Sequence, residues 1–274
     1  MPTSPADPLR MPAEWAEHEL TLIAWPQREE AWRDTTIEAA RDTHAEVIAT
    51  VSEFEPVLVR ADPSQAADAR KRCPQSDVEV LPLPIDDAGL RDSGPIIVTD
   101  EDGDRAGVDF AFNAWGEAFS PYRNDAAISS RILDHLDIER FIEPMILEGG
   151  SIAVDGEGLL VTTEQCLLNP NRNPDLDRHT IDAELCRALG VERVVWLEKG
   201  LVEDADTDGH VDNICAFLEP DRVLLQTVND PADPNYEGSR ENVRRLEAAG
   251  IEGVEWELLP RISREDGGPV VVPD

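Results

Sequence analysis

The chain has 274 residues, of which 41% are hydrophobic, so it can bury a sizeable core and has none of the bias of a fibrous or low-complexity protein. Its formal charge of -34 at pH 7 and pI of about 4.3 exclude nucleic acid and anionic membranes as partners, because phosphate binding requires a basic surface. We expect one domain over residues 1–274 and a cationic small molecule as its ligand.

The predicted elements alternate between strands and helices, which indicates an α/β fold. Apolar runs rich in Val, Ile and Leu predict strands at Leu20–Trp25, Pro56–Arg60, Val78–Leu83, Pro95–Thr99, Gly158–Thr163, Arg193–Leu197, Val211–Leu218 and Arg222–Val228. Apolar spacing near 3.6 predicts helices at Glu29–Phe54, Pro63–Cys73, Asn124–Leu136, Arg178–Leu189 and Tyr236–Ala249. Gly190 and Gly250 stand where helix-ending glycines belong. Groups of two strands and a helix recur, which leaves a pseudo-repeat open.

The segment Arg91–Pro95, RDSGP, precedes the apolar residues Ile96 to Val98. This pattern places Asp92 at a loop-to-strand junction, where scaffolds often hold functional side chains. The same residues would also suit a simple turn in which Asp92 caps the backbone and Gly94-Pro95 reverses the chain.

The segment Leu147–Ser151, LEGGS, contains the second candidate carboxylate, Glu148. Paired glycines after an acid let the backbone approach a ligand closely, although a Gly-Gly turn between two strands explains the same letters. The following run, Thr162–Pro174, is rich in Asn and Pro and predicts a structured loop near the site.

The segment Gly209–Asn213, GHVDN, contributes a histidine and a third carboxylate. Strand alternation would place His210 and Asp212 on one face and Val211 on the other. This favours a proton-transfer imidazole beside a carboxylate that binds a cation. The alternative is a strand-end pair that points into solvent.

Three carboxylates around one histidine suit a guanidinium group, which is planar, always charged and rich in N–H donors that pair with carboxylate oxygens. A metal-dependent hydrolase with His210, Asp212, Glu148 and Asp92 as ligands is an alternative. His18, His44, His135 and His179 have no metal-binding spacing relative to His210, so we expect neither a metal nor another cofactor.

The four cysteines, Cys73, Cys166, Cys186 and Cys215, form no CxxC pair and indicate reduced thiols. The N-terminus lacks signal-peptide features and no stretch reaches transmembrane length, so we expect a soluble, cytoplasmic protein.

The 58 acidic residues of the chain outnumber 24 basic ones, of which only Lys71 and Lys199 are lysines. This pattern indicates adaptation to high salt, where the Debye length falls to about 3 Å and self-repulsion is screened.

These stretches together resemble the agmatine deiminase and bacterial-type peptidylarginine deiminase family of the guanidino-group-modifying superfamily. The resemblance covers nearly all of the chain and is carried by MPAEWAEHELTLIAWP at 11–26, RDSGP, DFAFNAWG at 109–116, residues 147–174, GHVDN, and residues 234–250. It implies a five-module α/β propeller (pentein) with the substrate in its central channel. It also implies conversion of agmatine to N-carbamoylputrescine and ammonia through a covalent thiouronium intermediate, in putrescine biosynthesis.

The resemblance also implies roles for individual residues. Asp92 and Asp212 would hold the guanidinium, Glu148 would support it, and His210 would act as general acid and base. Trp115, from the matching NAWG run, would lie close to the channel. Arg91 and Asn213, which belong to the matching motifs, are the remaining expected substrate contacts.

The family's nucleophilic cysteine follows a Gly-rich turn in a C-terminal motif similar to GGNIHC, which this sequence does not contain. We therefore expect a chain that lacks its last module and its nucleophile. Cys215 would lie on the strand face opposite Asp212, Cys166 matches a stretch without catalytic role, and Cys73 and Cys186 fit core or surface thiols. An inactive amine-binding module, a peptidylarginine deiminase, a homo-oligomer and a chain completed by a partner all stay open.

Overall fold

A computed structural model of the protein describes residues 9–32, 35–204 and 206–258, and the backbone of two short strands at 262–263 and 269–270. The strands are β1 Thr21–Ala24, β2 Val57–Ala61, β3 Val78–Pro82, β4 Ile96–Thr99, β5 Arg105–Ala111, β6 Glu139–Ile146, β7 Ile152–Val154, β8 Leu159–Thr163, β9 Arg193–Leu197, β10 Cys215–Glu219, β11 Arg222–Thr227, β12 Glu252–Glu257, β13 Ile262–Ser263 and β14 Pro269–Val270. The helices are α1 Ile37–Val51, α2 Ala66–Arg72, α3 Leu90–Ser93, α4 Ala114–Glu117, α5 Ile128–Leu136, α6 Glu164–Leu167, α7 Arg178–Leu189 and α8 Tyr236–Ala248.

Three sheets repeat one topology. In β4-β5-β6, β7-β8-β9 and β10-β11-β12 the first strand is antiparallel to the second and the third is parallel to it. A longer helix, α5, α7 or α8, connects the second strand to the third in each. The β1-β2-β3 sheet is parallel throughout. The α/β prediction is confirmed, and the pseudo-repeat that the sequence left open is present as a β-β-α-β module.

Strand β8 is buried on both faces and joins two hydrophobic cores. Leu160 packs into the core between the second and third sheets, whereas Leu159 and Val161 pack into the core between the third and fourth. All five residues of β8 are buried. A strand buried on both sides reads as a continuous apolar run, which is why it was predicted correctly.

Four of the predicted helices are found within a few residues of their bounds, and α7 has the predicted limits. Gly190 ends α7 in the left-handed region at φ 66°, as expected for a helix-ending glycine. The predicted helix Glu29–Phe54 is wrong at its start. The α-helix begins at Ile37, because the Thr36 hydroxyl accepts a hydrogen bond from the amide of Ala39 and caps the helix there.

Five strands were not predicted, β5, β6, β7, β12 and β13. Strand β6 has charged residues between its apolar pairs and contains Pro144, which its position at the edge of the sheet tolerates. Strand β12 is mostly exposed and presents no apolar run. The predicted strand Val211–Leu218 begins only at Cys215, because the preceding residues form a turn in which the amide of Cys215 donates to the carbonyl of Val211.

The apolar run from Pro269 to Pro273 also predicts the start of a strand. Pro269–Val270 pairs with Ile262–Ser263, and the rest of this run lies outside the described residues. Within those residues, no helix combines the length and the apolar character that crossing a membrane requires.

We expect Leu160→Ala to lower the free energy of unfolding by about 2–5 kcal/mol, because the fully buried side chain would leave a cavity between two sheets. Leu218→Ala, at a side chain 47% exposed, should cost about 0.5 kcal/mol or less. Denaturant unfolding of both variants tests this, and equal losses would contradict the assignment of the core.

Candidate active site

In each of the three repeated modules, the candidate site residues lie in the segment directly before the first strand. Asp92 lies in α3 ahead of β4, and Glu148 precedes the short 3-10 turn Gly149–Ser151 that leads into β7. His210 and Asp212 lie in the turn ahead of β10. The repeated topology therefore brings four residues from three distant parts of the sequence to one place.

Three carboxylates, those of Asp92, Glu148 and Asp212, surround the imidazole of His210, which is only 2% exposed. Its Nδ1 lies 3.7 Å from Asp92 Oδ1 and 4.0 Å from Asp212 Oδ1. Its Nε2 lies 3.9 Å from Glu148 Oε2 and has no hydrogen-bond partner among the described residues. The expected grouping is confirmed, but a turn rather than strand alternation produces it.

Gly150 lies in close contact with Asp92, His210 and Asp212. A side chain there would place its Cβ 2.4 Å from Asp212 Oδ2, 2.6 Å from His210 Nδ1 and 2.8 Å from Asp92 Oδ1. Its amide donates to Asp92 Oδ1 at 2.8 Å, and its carbonyl accepts from the amide of Asp212 at 3.2 Å. The paired glycines of LEGGS thus let the backbone approach both aspartates, as the sequence suggested.

Trp115 contacts the site through its indole, whose Nε1 donates to Asp92 Oδ2 at 2.9 Å. With Gly150 bound to Oδ1, both oxygens of Asp92 are held in place. The backbone of α4 is strained, since Ala114, Trp115 and Glu117 all have φ between 55° and 63°. Non-glycine residues persist in this left-handed region only where surrounding contacts enforce it, which is common near functional sites.

Arg91 and Asn213 lie at the edge of this arrangement. The Arg91 guanidinium forms an ion pair with Glu14. A cavity of about 510 Å³ is lined by residues that include Arg91, Glu14, Trp15 and Asp212. The side-chain amide of Asn213 donates to Asp204 Oδ2 at 3.3 Å and so supports the turn that carries His210.

The four cysteines do not have the properties of an activated nucleophile. Burial raises the pKa of Cys73 to about 11 and that of Cys215 to about 12, and it raises the pKa of Cys186 and, more strongly, that of Cys166. A thiol with a raised pKa is neutral and weakly nucleophilic at pH 7. Cys215 and Asp212 both line the cavity, but Asp212 precedes the strand, so the strand alternation on which the prediction of opposite faces was based does not extend to it.

Sequence reasoning missed Arg172 and Asp204. Arg172 Nε donates to Glu148 Oε1 at 2.7 Å, and both side chains are completely buried. Asp204 Oδ2 accepts from the amides of Gly209 and His210 at 3.0 and 3.1 Å. The available signal was the run Thr162–Pro174, whose predicted proximity to the site is confirmed by Arg172.

Among the described residues, one group of three potential metal ligands is present. The donor atoms of Glu148, Cys166 and His210 lie within 4.8 Å of one another. The set fits a metal poorly, because an ion there would displace the proton of a buried thiol and lie beside the Arg172 guanidinium. Asp92 and Asp212 face Nδ1, on the other side of the imidazole, so the four-ligand set considered from the sequence does not share one centre.

The chain is similar to known deiminases in sequence and structure. It is 44% identical over 239 residues to the agmatine deiminase of Pseudomonas fluorescens strain SBW25, covering 85% of this chain and 64% of that protein. It is 44% identical over 250 residues to that of Pseudomonas aeruginosa strain LESB58, covering 89% of this chain and 67% of that protein. It therefore spans roughly two thirds of the length of these curated relatives.

Solved structures with the same α/β fold include the agmatine deiminase of Enterococcus faecalis, with a TM-score of 0.89 and 29% identity over 99% of this chain and 77% of that one. A C. jejuni agmatine deiminase with substrate bound has a TM-score of 0.85 and 29% identity over 95% of this chain and 78% of that one. The family model of the Porphyromonas-type peptidyl-arginine deiminases matches residues 10–260. The chain therefore belongs to the Porphyromonas-type peptidyl-arginine deiminase family.

Proposed function

We propose that the protein acts as an agmatine deiminase, which converts agmatine and water to N-carbamoylputrescine and ammonia in putrescine biosynthesis. The observation that carries this proposal is the buried imidazole of His210 with two aspartates on one side and Glu148 on the other. The relatives that bear the name agmatine deiminase support the substrate.

Asp92 and Asp212 would hold the guanidinium of agmatine. Both face Nδ1 of His210, and Asp212 also borders the open cavity, so a cation could reach it from solvent. A carboxylate matches the N–H geometry of a guanidinium, and the charge of -34 raises the local concentration of cations. Trp115 would act indirectly, by fixing Asp92 through its indole N–H.

In the reaction, a thiolate would add to the guanidinium carbon, and His210 would donate the proton with which ammonia leaves. Water would then displace the thiolate from the thiouronium intermediate and yield the carbamoyl product. The raised pKa of every cysteine in this chain favours a second candidate, in which the chain binds a cationic amine without turnover unless a thiolate comes from elsewhere.

We also propose that residues 1–274 form one deiminase domain of the five-module propeller type. The three repeated β-β-α-β modules and their shared contribution to the site support this architecture. Modules arranged about a common axis would all direct the segment ahead of their first strand toward the centre.

Both candidates predict that the purified chain binds agmatine in multimolar KCl, which screens its self-repulsion. Calorimetry for binding and an ammonia assay for turnover separate them. Ammonia together with N-carbamoylputrescine would support the deiminase, and binding without ammonia would support the amine-binding module. Absence of binding by the folded chain would contradict both.

We expect Asp212→Asn to weaken agmatine binding at least tenfold, because the amide keeps the shape of the carboxylate but loses the charge that pairs with the guanidinium. Asp100→Asn, in a surface loop between β4 and β5, should bind agmatine like the wild type. Titration calorimetry measures both, and an unchanged affinity of Asp212→Asn would remove Asp212 from the site.

We expect Gly150→Ala to abolish measurable agmatine binding while the fold persists, since the new methyl group would occupy the space between the two aspartates and His210. Gly238→Ala is the matched control. Its Cβ would have its nearest neighbour at 3.8 Å, and alanine favours the helix α8 in which it lies. Circular dichroism and calorimetry on both variants would expose a wrong assignment if Gly150→Ala bound normally.

A further inference from the structure

We propose that Arg172 is the positioning residue of the guanidinium site, where it holds the Glu148 carboxylate behind His210 and ties it to the turn that carries His210. This inference rests on the function proposed above and deepens it. Arg172 itself touches neither Asp92 nor Asp212 in any described hydrogen bond, so its effect on a substrate would pass through Glu148 and His210.

The guanidinium of Arg172 uses all three of its nitrogens. Nε donates to Glu148 Oε1 at 2.7 Å, Nη1 donates to Asp208 Oδ2 at 2.6 Å, and Nη2 donates to the carbonyl of Thr207 at 3.0 Å. The planar guanidinium is a fork of three donors, and this fork bridges Glu148 and the turn at 207–208, which are far apart in sequence. A lysine could not make these three contacts in one plane.

The turn held by this fork leads directly to His210. Asp208 has φ of 62°, a left-handed conformation that is uncommon for a residue with a side chain, and Gly209 follows at φ 85°. Thr163 donates its hydroxyl to the carbonyl of Gly209 at 2.6 Å. The contacts of Arg172 with Thr207 and Asp208 stabilise this strained approach and thereby the orientation of the imidazole.

The two oxygens of the Glu148 carboxylate have different neighbours. Oε1 accepts from Arg172, whereas Oε2 faces Nε2 of His210 at 3.9 Å and the Cys166 thiol at 4.0 Å. The neutral thiol donates a long hydrogen bond to Oε2, and the same oxygen is placed to stabilise a proton on the imidazole. Arg172 thus orients Glu148 so that the oxygen it does not bind, Oε2, faces the histidine.

The charge of Arg172 also controls the ionisation of Glu148. Burial raises the pKa of Glu148, and the positive charge of Arg172 is the largest opposing influence. Without that charge, Glu148 would keep its proton to higher pH, because nothing else close by offsets the loss of solvation as strongly. A protonated Glu148 would remove one negative charge from a site that has to bind a cation.

Arg60 offers a matched control, because it is also a buried arginine beside a buried acid. Its Nη2 lies 3.8 Å from Asp125 Oδ1 and donates to the carbonyl of Pro84. It contacts none of the four site residues in any described hydrogen bond or ion pair. A purely structural role for Arg172 would make its removal resemble the removal of Arg60.

The first measurement requires no ligand. The 13C carboxyl signals of glutamate-labelled protein are followed against pH in the wild type, Arg172→Met, Arg172→Lys and Arg60→Met, and Glu148→Gln identifies the Glu148 signal. We expect Glu148 to titrate at higher pH in Arg172→Met and at an intermediate pH in Arg172→Lys. Arg60→Met should leave the signal unchanged, although it should lower the stability of the fold.

The second measurement is agmatine affinity against pH by calorimetry. We expect at least tenfold weaker binding at pH 7 in Arg172→Met, a midpoint of the pH dependence shifted upward, and a smaller loss in Arg172→Lys. In the Glu148→Gln background, Arg172→Met should no longer move the midpoint, since the group that titrates is absent.

Wild-type titration and affinity in folded Arg172→Met would overturn the proposal, as would an equal effect of Arg60→Met on the Glu148 signal. If Arg172→Met does not fold, Arg172→Lys decides in the same way, because wild-type behaviour there would show that the fork is dispensable. If the wild type binds no agmatine, the proposed function fails. The Glu148 titration still tests Arg172, so the two failures are distinguishable.

Discussion

The ion pair between Glu148 and Arg172 is the interaction on which the site depends. Both side chains are completely buried, so each has lost the solvation that stabilises its charge. Such a pair adds little net stability, but removal of one partner leaves an uncompensated buried charge and commonly costs about 3–5 kcal/mol. The segments that contribute Glu148, Arg172 and His210 are therefore held together by a contact that tolerates few replacements.

The repeated modules bring the other site residues close to this contact. Each β-β-α-β module has its own sheet and helix, and the segment before its first strand is left free to bear functional side chains. The strands and helix of the module repeat, whereas these segments differ in every module and supply Asp92, Glu148, and the His210–Asp212 turn. A glycine at position 150 then permits the close approach that the repeat makes geometrically available.

The acidic composition is organised in two different ways. On the surface, acidic side chains form ion pairs that are made almost entirely by arginine, for example the cluster of Glu38, Asp42 and Asp68 around Arg72. Exposed pairs of this kind contribute little each and weaken further in salt. At the site, Asp92 and Asp212 face the imidazole of His210 and Asp212 also lines the cavity, whereas Glu148 is paired with the buried Arg172.

The sequence by itself determined the elements whose signals are local. The helix end at Gly190 and the continuous apolar run of β8 were predicted correctly, whereas the start of α1 at Thr36 was missed, and β6 and β12 show no continuous apolar run. The motifs also identified Asp92, Glu148, His210 and Asp212 as one group. Only the tertiary structure decided how they meet, that a turn presents His210, and that Arg172 reaches Glu148. Burial and long-range partners set those contacts and charges, and neither leaves a trace in the local sequence.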